Sequence, residues 1–228
     1  MDNLINIFTT PAKAFESLNE KPTWLVPLLI VIVFAVGSQY ILVDISLEYQ
    51  LKTTEARPDM TDEQFEIVKE QMSGGMKYIG IIVTPILAPI IWIILALVLW
   101  LFSKITISEG IDFKKSFSIV AWSSLVTLIS LILITFLIYS KGTPHGVALD
   151  LSALVETPPI GEPKSVLYFF LSKIDPFILW QMFLWALGLS VMGKVDLKKG
   201  IIPVAIIWGL WVLISVTFGS FLSNMGLM

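Results

Sequence analysis

Five long apolar stretches dominate the sequence, and almost all charged residues lie in the segments between them. No Asp, Glu, Lys, Arg or His interrupts any of the five, which occupy residues 24–43, 78–102, 119–139, 177–193 and 201–222. A helix rises about 1.5 Å per residue, so roughly 20 apolar residues cross the hydrocarbon core of a bilayer. The pattern predicts an all-α fold, a polytopic membrane helical bundle with five transmembrane helices.

Composition agrees with this class of protein. Of 228 residues, 56% are hydrophobic and 14% are charged, against about 25% charged in soluble domains. The net charge of −3 and the lack of a basic run exclude a nucleic-acid partner. Without Cys, and with His145 as the single His, no metal site and no cofactor is predicted. We expect one membrane domain over 24–222, an interfacial segment over 1–23 and a short tail over 223–228.

The N-terminal segment carries a helix-start signal at Thr10 and Pro11. Phe15 and Leu18 share one face of the helix that follows, which predicts a short helix lying in the membrane interface. The alternative is a loose N-terminal tail. No cleavable signal peptide is evident, so the first span is expected to be retained as the insertion signal.

Two large polar loops are predicted, over 44–77 and 140–174. In the first, Thr61 and Gln64 form a capping-box pair, which predicts an amphipathic helix over 62–72. Its eight acidic residues leave an acidic cation site as the alternative function. In the second loop, turn residues around His145 indicate a solvated histidine. The apolar run 166–171 is too short to span, and either lies at the interface or leads into the fourth span.

The distribution of lysines predicts the orientation. The two short connections, 103–118 and 194–200, hold three lysines each, while the much longer loops hold four and three basic residues. Since Lys and Arg concentrate on the cytoplasmic side, the N-terminus is expected inside and the C-terminus outside.

Three features inside the spans are candidates for packing or function. Pro85 and Pro89 lie one turn apart, which predicts a kink or local unwinding of the second span, with Thr84 able to satisfy a freed carbonyl. Such a helix either packs plainly or lines a transporter's substrate site. In the third span, small hydroxyl residues recur along one face, which indicates a central packing helix or, alternatively, a pore lining; they are Ser116, Ser123, Thr127 and Ser130.

Gln39 and Gln181 are the strongest polar groups within the spans, and both lie near the predicted outer side. We expect them at similar depth, either bonded to each other or each bonded to its own helix or to the interface.

In the fourth span, Ala186 and Ser190 form a small-xxx-small packing pair. No G-x-S-x-G, H-E-x-x-H or Walker A sequence is present, so no enzymatic activity is predicted.

Two longer patterns, GIDFKKSFSIVAWSSL over 110–125 and DPFILWQMFLWALGLSVMGKVDLKKGIIPVAIIW over 175–208, resemble the Yip1-domain family, as does Pro11-Ala-Lys-Ala-Phe15. Family members commonly have Pro after the first pattern, where Val126 stands here. The resemblance implies five membrane helices, a cytoplasmic N-terminus and a short bacterial form. It does not extend to the GTPase association of eukaryotic relatives, because their long N-terminal region is missing.

The function expected from these features is that of a non-enzymatic scaffold or organiser in the bacterial cytoplasmic membrane. Its partners would be membrane lipids, with other membrane proteins or further copies of itself as additional candidates. The alternative is a small-molecule or lipid transporter, or a lipid-handling protein, that uses the kinked second helix and the polar stripe of the third.

Overall fold

The computed structural model describes residues 2–57 and 60–224, which form ten α-helices and no strand. Residues 225–228, the larger part of the predicted C-terminal tail, lie outside the described residues. The helices are α1 Asp2–Thr9, α2 Pro11–Glu20, α3 Leu25–Glu55, α4 Asp62–Ser73, α5 Ile79–Ser103, α6 Phe113–Ser123, α7 Thr127–Lys141, α8 Val166–Leu171, α9 Pro176–Gly193 and α10 Leu197–Asn224. Short 3₁₀ turns occupy Gly75–Tyr78, Ser124–Val126 and Leu151–Leu154.

Five helical segments among the described residues are long and apolar enough to cross a membrane, as predicted. They contain α3, α5, the α6–α7 pair, α9 and α10. The helix of the first span is longer than the sequence indicated, because α3 continues into the predicted loop 44–77 and ends at Glu55. No Gly or Pro interrupts residues 44–57, and Lys52 pairs with Glu48 one turn earlier at 2.7 Å, a spacing that supports helix.

The helix predicted in the first large loop is confirmed as α4. The side-chain oxygen of Thr61 accepts from the backbone N–H of Gln64, and the Gln64 side chain accepts from the backbone N–H of Thr61. This capping box fixes the start of the helix. The apolar run 166–171 forms a helix of its own, α8, which begins after Ser165 and is separate from α9.

The chain divides into two compact units, which are considered separately. The first unit contains residues 1–34, 85–130 and 177–211, and the second contains 35–84, 131–176 and 212–228. The buried hydrophobic core lies in the first unit and is centred on the third span. In an apolar 18-residue window of that span, 50% of the residues are buried inside the protein, against 11% to 39% in the corresponding windows of the other spans, so it is the most buried of the five.

The N-terminal helices belong to the core of the first unit. Phe15 and Leu18 share one face as predicted, and both are fully buried, as is Ile7 of α1. A Cβ added at Gly188 of α9 would lie 3.1 Å from the Phe15 ring, so α2 packs on protein at this point. The loose-tail alternative is therefore wrong. Pro11 opens α2 as expected, but Thr10 makes no side-chain cap and bonds Asn6 instead, at 3.1 Å.

A close-packed hairpin joins α9 and α10. A Cβ at Gly200 would overlap the carbonyl oxygen of Ala186 and lie 3.2 Å from the backbone nitrogen of Ser190. The small pair predicted in the fourth span therefore admits the backbone of α10. The turn that ends α9 is a Schellman motif, because the N–H groups of Val195 and Lys194 donate to the carbonyls of Ser190 and Val191.

The unwinding predicted at Pro85 and Pro89 does not occur, since α5 is continuous through both prolines. Pro85 is exposed and Pro89 is half-buried. The hydroxyl of Thr84 accepts a side-chain hydrogen bond, at 2.7 Å from the amide of Gln39. The helix therefore retains its helical course without local unwinding.

Candidate functional site

The third span is broken in its middle by the 3₁₀ turn Ser124–Val126. The Ser124 hydroxyl donates to the carbonyl of Val120 at 2.8 Å, and the Thr127 hydroxyl donates to the carbonyl of Ser124 at 2.8 Å. Hydroxyls that bond nearby carbonyls compete with the helical ladder and bend helices. The break therefore forms without a proline in this span.

Gln181 of α9 reaches this break. Its amide nitrogen donates to the Ser124 hydroxyl at 3.0 Å. The sequence suggested either the other glutamine or its own helix as the partner of Gln181, and the structure supplies a hydroxyl from the third span. A side chain from one span thus holds the irregular turn of another.

The remaining hydroxyls of the predicted stripe differ in their surroundings. Ser116 and Ser123 are fully buried, and their Oγ atoms have no hydrogen-bond partner among the described residues. Ser130 is half-buried. Every residue from 116 to 126 is buried, so this part of the stripe lies in packed protein.

Thr23, which the sequence analysis did not single out, anchors the start of the first span to the third. Its carbonyl accepts from the Ser118 hydroxyl at 2.8 Å and from the Trp122 ring nitrogen at 2.9 Å. The signal available in the sequence was weak, because Thr23 only follows Pro22 and precedes the interfacial Trp24. The two donors, Ser118 and Trp122, lie on one face of α6, and only the folded chain brings Thr23 next to them.

In the second unit, two hydrogen bonds join neighbouring spans. The Gln39 amide nitrogen donates to the Thr84 hydroxyl at 2.7 Å. The hydroxyls of Ser38 and Thr135 lie 2.6 Å apart, a pair that sequence reasoning missed. Ser and Thr are common in membrane helices, so their presence alone gives no partner. The structure thus gives Gln39 a different partner from the ones expected.

The Gln39–Thr84 bond is measurable by a double-mutant cycle. We expect Gln39→Leu and Thr84→Val to be coupled by about 0.6 kcal/mol, and by no more than about 1.7 kcal/mol, the range for hydrogen bonds between membrane helices. The measurement is the free energy of unfolding of the two single variants and the double variant. Thr217→Val is the control, because the Thr217 hydroxyl bonds the carbonyl of Leu213 on its own helix at 2.7 Å. Its effect should add to that of Gln39→Leu, and equal coupling in both cycles would contradict the assignment.

An apolar groove opens in the first unit between α5, α9 and α10. It has a volume of about 180 Å³ and is lined mainly by Leu95, Gln181, Trp185, Val204, Trp208 and Trp211. We call it the tryptophan groove. The ring nitrogens of Trp185 and Trp208 are buried and have no hydrogen-bond partner among the described residues. A larger pocket of about 390 Å³ lies in the second unit and includes Gln39, Gln50, Met72 and Lys77.

Six lysines cluster at the two short connections of the first unit. We call this surface the lysine platform; it consists of Lys104, Lys114, Lys115, Lys194, Lys198 and Lys199. The Thr106 hydroxyl donates to the carbonyl of Lys199 at 2.6 Å, which holds the two connections together. The Nζ atoms of Lys104 and Lys115 donate to backbone carbonyls at 2.8 and 2.7 Å.

No group of His or acidic residues that could hold a metal ion occurs in the part of the chain that the structure describes. His145 is half-buried, with its ring 6.2 Å from that of Tyr49, and is therefore less solvated than predicted. In each unit, polar side chains bond neighbouring helices.

These helices define a multi-pass integral membrane protein. The family model of the Yip1 domain matches residues 5–219, and the chain belongs to that family. It is similar to the membrane protein YknW of Bacillus subtilis (strain 168), with 29% identity over 224 residues that cover 95% of this chain and 90% of the relative. No solved structure matches the chain significantly.

Proposed function

We propose that this Yip1-family protein is a non-enzymatic scaffold or organiser that acts through contacts with lipids and with other membrane proteins. The observation that carries the proposal is the packed third span. Residues 116–126 are all buried, and the polar groups there bond neighbouring helices or lie in the core. A helix buried in this way gives the first unit a rigid centre, and the outer surfaces of that unit can bind partners.

A transporter or lipid handler that works between the second and third spans has less support. That mechanism needed the Pro85 and Pro89 break and the stripe of Ser123, Thr127 and Ser130 to border a common path. Helix α5 is continuous, Pro85 is exposed, and Ser123 is fully buried. Ser123 therefore supports packing, and the continuous α5 provides no break for a path.

The proposed orientation places the N-terminus and the lysine platform on the cytoplasmic side of a bacterial cytoplasmic membrane. The high density of lysines in the short connections supports this orientation. The bacterial relative supports the proposed membrane.

A reporter pair fused to the C-terminus tests the orientation. Alkaline phosphatase, active outside, is expected to give high activity, and green fluorescent protein, fluorescent inside, is expected to stay dark. The same reporters inserted after Lys114 serve as the control and should give the opposite result. A fluorescent C-terminal fusion would overturn the proposed orientation.

Extraction of the full chain in native-lipid discs tests the scaffold function. Mass spectrometry is expected to find further copies of the chain or other membrane proteins in fixed stoichiometry. The matched sample is a membrane protein of similar size expressed at the same level. Recovery of single chains without any stoichiometric partner would count against a scaffold.

A further inference from the structure

We propose that the α9–α10 hairpin holds one anionic phospholipid, with its phosphate at the lysine platform and an acyl chain in the tryptophan groove. This inference deepens the proposed function, on which it rests, by naming a lipid class and its binding site. It adds a discrete site to the general lipid contact that every membrane protein makes.

The tryptophan groove has the chemistry of an acyl-chain site. Its lining is predominantly apolar, and large side chains from two spans form its walls. Trp208 and Trp211 lie three residues apart on α10, while Trp185 faces them from α9 and is 8% exposed. Rigid aromatic walls bury much apolar surface at low cost in side-chain entropy. A flexible hydrocarbon chain from the surrounding bilayer is the occupant that fits this environment.

Charge complementarity specifies the headgroup. The ion pairs that Lys52, Lys69 and Lys77 make with carboxylates all lie in the second unit. None of those pairs includes a lysine of the platform. Lys114, Lys194, Lys198 and Lys199 are all exposed. The two connections also hold Glu109, Asp112 and Asp196, so their six lysines leave a net charge of +3, which favours the phosphate of an anionic lipid.

Two of these lysines occupy a position where an anion is favoured twice. Lys198 and Lys199 lie in the first turn of α10, which contains no acidic residue itself and is directly preceded by Asp196. The positive end of the helix dipole lies there, so lysines repel it and an anion is attracted to it. A bound phosphate would relieve that repulsion while pairing with the lysines.

Lys194 provides a separate observation. It has a φ angle of +52°, and among the described residues it is the one non-glycine residue with positive φ. This position of a Schellman motif normally holds glycine, because a side chain is strained in the left-handed conformation. A strained residue indicates a function that outweighs the cost of the strain. A lysine kept at the tip of the turn is explained if its ammonium group contacts the ligand.

The spacing along α10 matches a phospholipid. Val204 lies five residues beyond Lys199 and Trp211 twelve residues beyond, which places them about 7.5 and 18 Å along the axis. The headgroup layer on each side of a bilayer is roughly 5–8 Å thick. The groove therefore begins where acyl chains begin.

The test compares lipid retention by the full chain. Purified protein is incubated with equal amounts of dioleoyl phosphatidylglycerol and dioleoyl phosphatidylcholine, and bound lipids are counted by native mass spectrometry. We expect one retained lipid and at least a tenfold preference for phosphatidylglycerol. Lys194→Gln, Lys198→Gln and Lys199→Gln together should reduce that preference to near unity. Trp208→Leu should lower the retention of both lipids severalfold while leaving the preference intact.

Two matched controls remove lysines and an aromatic residue that lie outside the proposed lipid site. Lys52→Gln, Lys69→Gln and Lys77→Gln together take away three lysines, and Phe218→Leu takes away an exposed aromatic residue of α10. Both controls should behave like the wild type, and inorganic phosphate should not compete. Lys194→Gly separates ligand binding from folding, since it should raise the unfolding midpoint in lipid-free detergent yet weaken the preference for phosphatidylglycerol.

An unchanged preference in the triple platform variant would overturn the proposal, as would an equal loss in the triple control. Either result would leave the scaffold function intact if the native-lipid discs still contain partners in fixed stoichiometry. Conversely, single chains that retain phosphatidylglycerol selectively would support the lipid site and count against the scaffold.

Discussion

Gly200→Ala is expected to destabilise the protein by about 3 kcal/mol, as overpacking in a close-packed interior does. The added Cβ would overlap the carbonyl oxygen of Ala186, and a backbone atom cannot rotate away as a side chain can. The two helices of the α9–α10 hairpin must therefore move apart, which also increases the distance between residue 200 and Ser190. The measurement is the unfolding midpoint in detergent, with intrinsic tryptophan fluorescence as the signal of unfolding.

Gly209→Ala on the same helix is the control. A Cβ at Gly209 would meet no atom within 4 Å. Alanine favours helix over glycine by about 1 kcal/mol, so this variant should be neutral or more stable. The two substitutions are chemically identical and are expected to have effects of opposite sign. Equal effects at both positions would contradict the close approach of α9 and α10.

Phe15→Ala should cost about 3–5 kcal/mol, the usual range for a large aromatic residue removed from a core. Phe15 is fully buried in α2 and lies against Gly188 of α9. This variant tests whether the N-terminal segment is part of the folded bundle. The free energy of unfolding in detergent gives the effect, and limited proteolysis should show faster cleavage within residues 2–20.

Phe8→Ala provides the matched substitution for Phe15→Ala. Phe8 is 37% exposed, and its ring meets Trp180 edge-on at 6.2 Å. Loss of that pair should cost about 1 kcal/mol. A similar small loss at Phe15 would mean that α2 does not belong to the core, and the interpretation as a loose tail would return.

The sequence was most informative where local chemistry decides structure. The five spans follow from uninterrupted apolar runs, because a bilayer requires every backbone polar group to be bonded within the helix. The start of α4 follows from the reciprocal bonds of Thr61 and Gln64, which are three residues apart. The small pair Ala186 and Ser190 correctly marked a close helix contact, although its partner, Gly200, was not identified.

Sequence reasoning was less successful with features that depend on the rest of the chain. The extension of α3 to Glu55 was missed because hydrophobicity, and not helix propensity, defined the predicted end. The prolines of α5 predicted a kink or local unwinding, and the unwinding does not occur, since the helix is continuous through both. The 3₁₀ turn after Ser123 arises without proline, since hydroxyl bonds and the contact from Gln181 act there together.

By itself, the sequence indicated that the chain lies in a membrane, how many spans it has and that they contain no charged residue, because hydropathy is a local property of each segment. It also indicated the family, whose domain model matches residues 5–219. The tertiary structure decided which polar groups pair, since Gln39, Gln181 and Thr23 each find donors or acceptors far away in the chain. It also decided the shape of the tryptophan groove, because side chains of α5, α9 and α10 together form its walls.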